Sequence, residues 1–490
     1  MTVEHRSLRA GLLLACLALP ASATPFALGD VLFSRCELGG QALAPPLPAH
    51  CATVQLPADP ADPGAAGKTL PIRIAVLPAR DSKPLAEALL FIAGGPGQSA
   101  LQSFPQLAPA LDRSNQSRHI VLVDQRGTGA SAPLGCTDAV PTEVLDPAAI
   151  ETATRHCLAQ LQHDPRWFTT ALAVADLEAL RQRLGITRFD LYGVSYGTRV
   201  ALEYVRRHPQ AVRTAVLDGV VAPQRVLGLD FGQRLDAALA RLFAHCAADP
   251  TCHQRFPDPF GALRVLKAQL AIRPVLATTA HPRSGEPLQQ ELQAQHLAGL
   301  VRLYAYTAET QALLPLVIDQ AARGQFGPLL AQSLVLEEQL EGALSVGMQL
   351  SVLCSEDLVA PIAEVSAAER ESLLGAALPE ALARQCALWP RGRVAADFHA
   401  PVHSNTPVLL LSGELDPVTP PADAERVLKD LPNGRHLIAR GQGHNVLPRG
   451  CMPKLVAEFI AHADAGALDA RCLDALAPTP FFLNPNGAAP

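Results

Sequence analysis

The feature that most constrains this chain is the segment Gly-Val-Ser-Tyr-Gly at residues 193–197. The apolar run 189–192 before it is typical of a buried strand, and residues 198–207 after it have a helical pattern. Gly193 and Gly197 allow a very sharp turn, because side chains at these positions would collide. The hydroxyl of Ser195 would then project beside a helix N-terminus, which favours a negative group. The segment therefore predicts a strand–turn–helix that exposes a nucleophilic serine.

Apolar strands alternate with helices on both sides of this turn. The predicted strands are residues 70–77, 88–93, 119–123, 189–192, 212–217, 407–411 and 435–439, and the first of them is a candidate for antiparallel pairing. Such alternation predicts an α/β fold whose mostly parallel sheet is covered by helices on both faces. Sites in sheets of this kind lie at the carboxyl ends of the strands.

One long central region lacks this alternation. Residues 222–400 predict mainly helices, at 229–247, 259–270, 289–322, 329–343 and 363–386. We therefore expect a mainly helical cap, 222–400, inserted between two parts of an α/β core, 24–221 and 401–475. The Pro-rich stretch 44–63 and the Pro-rich tail 476–490 are expected to be loop or extended chain.

Two further residues complete a candidate catalytic set with Ser195. Asp416 and His444 each follow a late predicted strand, and the order serine, acid, histidine is that of α/β hydrolases. The histidine would accept the serine proton, and the carboxylate would hold the ring and favour its charged form. The alternatives are an ordinary turn aspartate before Pro417 and an ordinary Gly-x-Gly-His loop, but the elbow and the strand order favour catalysis.

Catalysis by a serine also requires donors for the negative oxygen that forms on the substrate. We expect the backbone N–H of Tyr196 and that of Gly95, in the Gly-Gly-Pro-Gly loop at 94–97, to form this oxyanion hole. A plain Gly/Pro turn is the alternative for the loop. Asp124 and Arg126 are expected to brace nearby loops rather than to react.

Four motifs together carry a family resemblance. Gly-Gly-Pro-Gly, Asp-Gln-Arg-Gly-Thr-Gly, Gly-Val-Ser-Tyr-Gly and Gly-Glu-Leu-Asp-Pro-Val-Thr-Pro resemble the proline iminopeptidase and tripeptidyl aminopeptidase group of α/β hydrolases, over roughly residues 88–463. The resemblance implies a serine exopeptidase that forms an acyl-enzyme on Ser195 and releases single residues, dipeptides or tripeptides. The iminopeptidases usually have His where this chain has Ala93, which argues against strict proline specificity.

The resemblance also implies that acidic residues of the cap bind a free α-ammonium group. Cys354-Ser355-Glu356-Asp357 resembles the family's Cys-x-acid stretch, so Glu356 is the first candidate and Asp357 the second. A solvated acidic pair beside a disulfide is the alternative. The partners expected are peptides with a free N-terminus, admitted under the cap as chain ends or short peptides. An esterase or lipase-like hydrolase without amine recognition is the competing function, and an intact triad argues against a non-catalytic binding protein.

Residues 1–23 resemble an export signal, with a basic start, an apolar stretch and Ala-Ser-Ala at its end. Lipoprotein anchoring through Cys16 is the less favoured reading. Ten of the 11 cysteines remain without it, as five pairs of near neighbours, which suits sequential disulfides in an exported protein.

Several other classes of function lack support. The formal net charge is −6 with no basic run, which argues against nucleic-acid binding. No Cys-x-x-Cys or His-Glu-x-x-His spacing suggests a metal site, no cofactor motif occurs, and no apolar stretch is long enough to span a membrane. We expect a periplasmic or extracellular monomer.

Overall fold

The computed structural model describes residues 26–39, 45–136, 146–340, 342–358 and 365–488. The predicted export signal, with Cys16, lies outside these residues. The core of the described part is a twisted sheet of ten strands in the order β1-β2-β3-β4-β6-β5-β7-β8-β11-β12. Its strands are β1 (Phe26–Leu28), β2 (Val31–Leu38), β3 (Leu47–Pro57), β4 (Thr69–Leu77), β5 (Ala88–Ile92), β6 (Ile120–Val123), β7 (Phe189–Val194), β8 (Val212–Asp218), β11 (Val408–Gly413) and β12 (Gly434–Ala439).

Parallel pairing runs from β6 to β12, and the first four strands are antiparallel to their neighbours. The short apolar runs favour this arrangement, because β5, β6, β7 and β11 are buried along their whole length. Val194 of β7 is in register with Asp218 of β8, which in turn is in register with Leu411 of β11. The carboxyl ends of the central strands therefore lie side by side.

Helices pack on both faces of the sheet, as the alternation of elements predicts. On one face lie α1 (Ala100–Leu111) and α16 (Met452–His462), and on the other lie α3 (Thr170–Arg183), α4 (Tyr196–Arg207) and α15 (Pro421–Leu428). A further helix, α2 (Pro147–Gln160), packs against a helix of the insertion described next. The α/β-hydrolase fold expected from the sequence is confirmed.

A mainly helical insertion separates β8 from β11, although the two strands pair directly. Its elements are α5 (Phe231–Ala248), α6 (Pro250–Arg255), α7 (Pro259–Ile272), β9 (Val275–Ala280), β10 (Pro287–Leu292), α8 (Ala294–Tyr304), α9 (Ala308–Gln311), α10 (Leu314–Ala322), α11 (Gly327–Leu340), α12 (Val346–Val352), α13 (Ala367–Glu371) and α14 (Ala377–Leu388). The insertion has its own apolar core, in which Leu239, Leu263 and Leu300 are buried.

One local prediction is wrong, and the structure adds detail to the two Pro-rich stretches. Residues 289–322 are not one helical stretch, because β10 pairs with β9 in an antiparallel hairpin and three separate helices follow. Alternating exposure along β10 explains the strand, a period that the helical interpretation overlooked. The Pro-rich stretch 44–63 contains strand β3, whose backbone pairs with both β2 and β4. The described part of the Pro-rich tail, 476–488, has no helix or strand, and its Phe481 and Leu483 are buried in the core of the insertion.

Five disulfides join the ten described cysteines in sequential pairs. They are Cys36–Cys51, Cys136–Cys157, Cys246–Cys252, Cys354–Cys386 and Cys451–Cys472. Within the described ranges, none of the helices has both the length and the apolar character needed to cross a bilayer. The same ranges contain no cluster of histidine, cysteine or acidic side chains arranged to hold a metal ion.

Candidate active site

Ser195 lies at the junction of β7 and α4 in a conformation that few L-residues adopt, with φ +54° and ψ −123°. Only glycine fits at positions 193 and 197, because any side chain there would collide with backbone atoms. A Cβ atom on Gly197 would lie 2.3 Å from the carbonyl oxygen of Ile92, and one on Gly193 would lie 2.5 Å from the carbonyl oxygen of Gly197. The sharp turn predicted from the sequence is thus present, and Ser195 is only partly buried at its tip.

The backbone of Ser195 is held on both sides. Its N–H donates to the carbonyl oxygen of Asp218 at 2.9 Å, and its own carbonyl accepts the hydroxyl of Thr198 at 2.6 Å. The Thr198 hydroxyl also accepts the N–H of Val221, directly after β8. These bonds connect the strained residue to the end of β8 and to the first turn of α4.

Asp416 and His444 form a buried ion pair. The Oδ2 atom of Asp416 lies 2.7 Å from Nδ1 of His444, and both side chains are almost inaccessible. Since a carboxylate oxygen only accepts hydrogen bonds, Nδ1 carries a proton, and in the neutral imidazole Nε2 is then the free base. The other oxygen, Oδ1, accepts the N–H groups of Val418 and Thr419 at 2.8 Å each, and the Thr419 hydroxyl donates to Oδ2.

The contact between Asp416 and His444 changes the pKa values of both side chains. Burial alone would lower the pKa of His444, but Asp416 outweighs it and Asp218 adds to the effect, so that this pKa is raised above its usual 6.5. Burial alone would raise the pKa of Asp416, but His444 and the backbone donors hold it below its usual value. The pairing therefore favours the carboxylate form of Asp416 and stabilises the imidazolium that forms when neutral His444 accepts a proton.

Asp218 contacts both Ser195, at the end of β7, and the loop that follows His444. Its carboxylate accepts the N–H groups of Val446 and Leu447, which follow His444 closely in the chain, while its carbonyl holds Ser195. A Cβ atom on Gly219, the next residue, would lie 2.8 Å from Cε1 of His444. Ser195 and His444 therefore lie at the same edge of the sheet, with one residue in contact with both elements.

The Gly-Gly-Pro-Gly loop lies against the serine. A Cβ atom on Gly94 would be 3.1 Å from the Cβ of Ser195, and Gly95, with φ +108°, is exposed beside it. The insertion reaches this loop as well, because the N–H of Ser345 donates to the carbonyl oxygen of Gly97 at 2.9 Å. Tyr196 is the first residue of α4, so its N–H belongs to the helix terminus at the serine.

Asp124 and Arg126 brace loops, as expected. The buried carboxylate of Asp124 accepts the Ser99 hydroxyl at 2.6 Å and the N–H of Leu101, at the start of α1. Arg126 forms two hydrogen bonds to Asp176, of 2.8 and 2.7 Å, and donates to backbone carbonyls of two further segments. Neither side chain is free to take part in chemistry.

Glu356 and Asp357 lie in one turn of π-helix, Leu353–Asp357, and their carboxylates point to different partners. Glu356 accepts the N–H of Thr170 and, at 2.8 Å, the Thr170 hydroxyl, which also lies 2.6 Å from the hydroxyl of Tyr196. Asp357 is paired with Arg199 through two contacts of 3.0 and 2.9 Å. Both carboxylates are buried, so they are not a solvated surface pair.

Burial raises the pKa of Glu356 to about 8, and the hydrogen bonds from Thr170 and the charge of Arg199 only partly offset that increase. Such a group readily exchanges a proton near neutral pH and gains stability when a cation approaches it. Asp357 already has a cation as its partner. The structure thus distinguishes two neighbouring acids that the sequence motif could only rank.

Sequence reasoning missed Tyr306 of the insertion. Its carbonyl oxygen accepts the N–H of His444 at 2.7 Å, and its ring meets the imidazole edge-on with centroids 5.4 Å apart. No motif marks Tyr306, which lies between two helices of the insertion, so only the packing reveals it. The insertion therefore contacts the candidate catalytic histidine directly.

The chain is similar to known hydrolases over parts of its length. Two family models match the chain, one described as alpha/beta hydrolase fold over residues 87–252 and one as TAP-like protein over residues 371–472. The tripeptidyl aminopeptidase of Streptomyces coelicolor is 32% identical over 202 residues, which are 37% of this chain and 36% of that protein. The proline iminopeptidase of Xylella fastidiosa is 30% identical over 142 residues, 29% of this chain and 35% of that protein.

A third relative, serine protease Hip1 of Mycobacterium tuberculosis, is 27% identical over 154 residues, 28% of this chain and 30% of that protein. The matches thus span about a third of the length of each of these curated relatives. The resemblance to the tripeptidyl aminopeptidase and proline iminopeptidase group is confirmed.

Proposed function

We propose that this chain is a serine peptidase that removes short pieces from the N-terminus of peptides. Its α/β-hydrolase fold and its similarity to tripeptidyl aminopeptidases and proline iminopeptidases support the proposal. The observation that carries the proposal is the buried Asp416–His444 pair at the same sheet edge as an elbow serine. Since the pair leaves Nε2 of His444 unprotonated, it supplies the base that Ser195 needs.

In the proposed reaction, Oγ of Ser195 attacks the scissile carbonyl while Nε2 of His444 takes its proton, and Asp416 stabilises the imidazolium. The backbone N–H groups of Tyr196 and Gly95 bind the resulting oxyanion. His444 then gives the proton to the leaving amine as the C–N bond breaks, which leaves the N-terminal piece as an ester on Ser195. Water, deprotonated by His444, hydrolyses this ester and regenerates the serine.

Glu356 is the proposed receptor for the substrate's α-ammonium group. The positive charge would compensate a buried carboxylate that now has only neutral donors, namely the two groups of Thr170. Asp357 is the weaker candidate, because Arg199 already neutralises it. Residues 222–400 would form the cap that limits entry to chain ends and short peptides.

The five disulfides support export to the periplasm or the medium, where such bonds persist. An esterase without amine recognition is the second candidate. The enclosure of Glu356, only 2% exposed, favours that candidate, because an ammonium group must reach the carboxylate for the peptidase proposal to hold.

The test compares three substrates, namely a tripeptide arylamide with a free N-terminus, its acetylated form and a short-chain nitrophenyl ester. We expect acetylation to lower kcat/KM strongly, Ser195→Ala to abolish turnover of all three, and Glu356→Gln to impair the free-amine substrate far more than the ester. Equal turnover of the free and acetylated arylamides would exclude amine recognition and favour the esterase.

Glu369→Gln is the matched control. Glu369 is another buried carboxylate of the insertion, and it accepts the backbone N–H groups of Gly232 and Gln233. Its replacement should leave the ratio between the free-amine substrate and the ester as in the wild type. An equal change of that ratio in both variants would remove Glu356 from its proposed role.

A further inference from the structure

Asp218, the last residue of β8, contacts both catalytic elements without belonging to the catalytic set. Its carbonyl oxygen accepts the N–H of Ser195 at 2.9 Å. Its carboxylate accepts the N–H of Val446 at 2.9 and 3.1 Å and that of Leu447 at 2.9 Å. The residue is fully buried, so these contacts are shielded from water.

The hydrogen-bond partners of this carboxylate suit its charged form. The hydroxyl of Tyr192 donates to Oδ2 at 2.8 Å, and with the two backbone N–H groups every partner of the carboxylate is a donor. A protonated Asp218 would give up one of these bonds inside the core. Burial raises the pKa of Asp218, while the same donors and His444 oppose that rise.

We propose that Asp218 is a positioning residue of the hydrolytic reaction, which fixes His444 relative to Ser195 and stabilises with its negative charge the imidazolium that forms when His444 takes the serine proton. The inference rests on the proposed serine hydrolase function. One residue gives both effects, because its backbone restrains the nucleophile while its side chain restrains the loop of the base.

Other groups also act on His444, and their effects can be distinguished from that of Asp218. Asp416 bonds Nδ1 directly, the guanidinium of Arg225 opposes the protonation of His444, and the Tyr306 ring packs edge-on against the imidazole. Tyr192 is the side chain that donates to Asp218. Replacing Asp218 by asparagine therefore removes one negative charge and one acceptor of these hydrogen bonds, and it leaves the Asp416 contact in place.

The experiment measures kcat and KM of Asp218→Asn between pH 5 and 10 with the nitrophenyl ester, which does not depend on amine capture. We expect kcat to fall by about tenfold or more through misplacement of the base, with little change in KM. We also expect the acid limb of kcat/KM to move to lower pH, because the imidazolium loses a favourable charge. A merely structural role would lower the amount of active enzyme and leave the acid limb in place.

Asp190→Asn is the control for loss of a buried carboxylate. Asp190 lies at the opposite end of β7, where it pairs with Arg213 and Thr214, and its replacement should leave the acid limb unmoved. An unmoved acid limb in Asp218→Asn, or an equal shift in Asp190→Asn, would overturn the inference.

If Asp218→Asn does not yield folded protein, Asp218→Glu is measured instead. The retained charge predicts an unmoved acid limb together with a lower kcat, because the longer side chain displaces the loop at Val446 and Leu447. A shifted acid limb or an unchanged kcat would contradict the inference. Failure of the proposed function itself is recognised separately, since Ser195→Ala would then keep its activity.

Discussion

Replacing Asp416 by asparagine should remove most of the turnover and leave the fold in place. In the structure Oδ1 accepts the N–H groups of Val418 and Thr419, and Oδ2 accepts Nδ1 of His444. An asparagine whose oxygen stays on the two backbone donors turns its amide nitrogen toward His444. Nδ1 must then accept a hydrogen bond, so the ring proton moves to Nε2, the atom that has to receive the proton of Ser195.

The proton on Nε2 of His444 determines how far kcat falls in Asp416→Asn. For a triad that loses its acid in this way we expect kcat to fall by about 10⁴-fold, which corresponds to about 5.5 kcal/mol in the activation free energy. The free energy of unfolding should fall by only about 1–3 kcal/mol, because one charge-assisted hydrogen bond is lost while both backbone bonds remain. Steady-state kinetics with the nitrophenyl ester and urea unfolding followed by circular dichroism measure the two quantities.

Thr419→Val is the matched control. The Thr419 hydroxyl donates to Oδ2 of Asp416 at 2.8 Å and lies 3.1 Å from Nδ1 of His444. Its removal takes away one hydrogen bond but keeps the charge and the tautomer, so kcat should fall by no more than about tenfold, which corresponds to roughly 1.4 kcal/mol. A folded Asp416→Asn enzyme with kcat within tenfold of the wild type would refute the assignment of acid and base.

Two further predictions concern pH and stability. Because His444 must be neutral to accept the serine proton and its pKa is raised, kcat/KM should fall with decreasing pH through a value above 6.5, and an acid limb below 6.5 would contradict the ion pair. Arg199→Met leaves the fully buried Asp357 without its cation, so urea unfolding should show a loss of about 3–5 kcal/mol; a loss under about 1 kcal/mol would show that the pair matters little.

The sequence was most informative where geometry leaves few residue types. Gly193 and Gly197 lie so close to backbone oxygens that no side chain would fit at either position. The two glycines in the sequence therefore predict the turn. The order of Ser195, Asp416 and His444 along the alternating strands and helices also predicts that the three residues lie near one another. Each follows a predicted strand, and the carboxyl ends of parallel strands meet at one edge of the sheet. The fold class followed from the same alternation.

Contacts between distant segments could not be predicted from the sequence in this way. The hydrogen bond from His444 to the carbonyl of Tyr306 is made by backbone atoms, which any residue possesses. The different partners of Glu356 and Asp357 depend on one π-helical turn, and no local pattern in the sequence specifies that turn. The end of β8 at Asp218-Gly219 was noticed as a strand end, but its contact with the loop after His444 joins residues 228 positions apart.

The helical interpretation of residues 289–322 failed for a related reason. A short amphipathic strand and a helix give similar apolar counts, and the partner strand β9 makes the hairpin stable. The burial of Phe481 in a Pro-rich tail is likewise a tertiary effect, since proline content excludes a helix but not packing.

The central claim is that Ser195 forms an ester with the acyl part of the substrate. Acid quenching of the enzyme during turnover of a tripeptide nitrophenyl ester, followed by mass spectrometry of the digested protein, tests it most directly. The account predicts the mass of the tripeptide acyl group on the peptide that contains Ser195, and no such adduct in Ser195→Ala. An adduct on another residue, or undiminished turnover in Ser195→Ala, would contradict it.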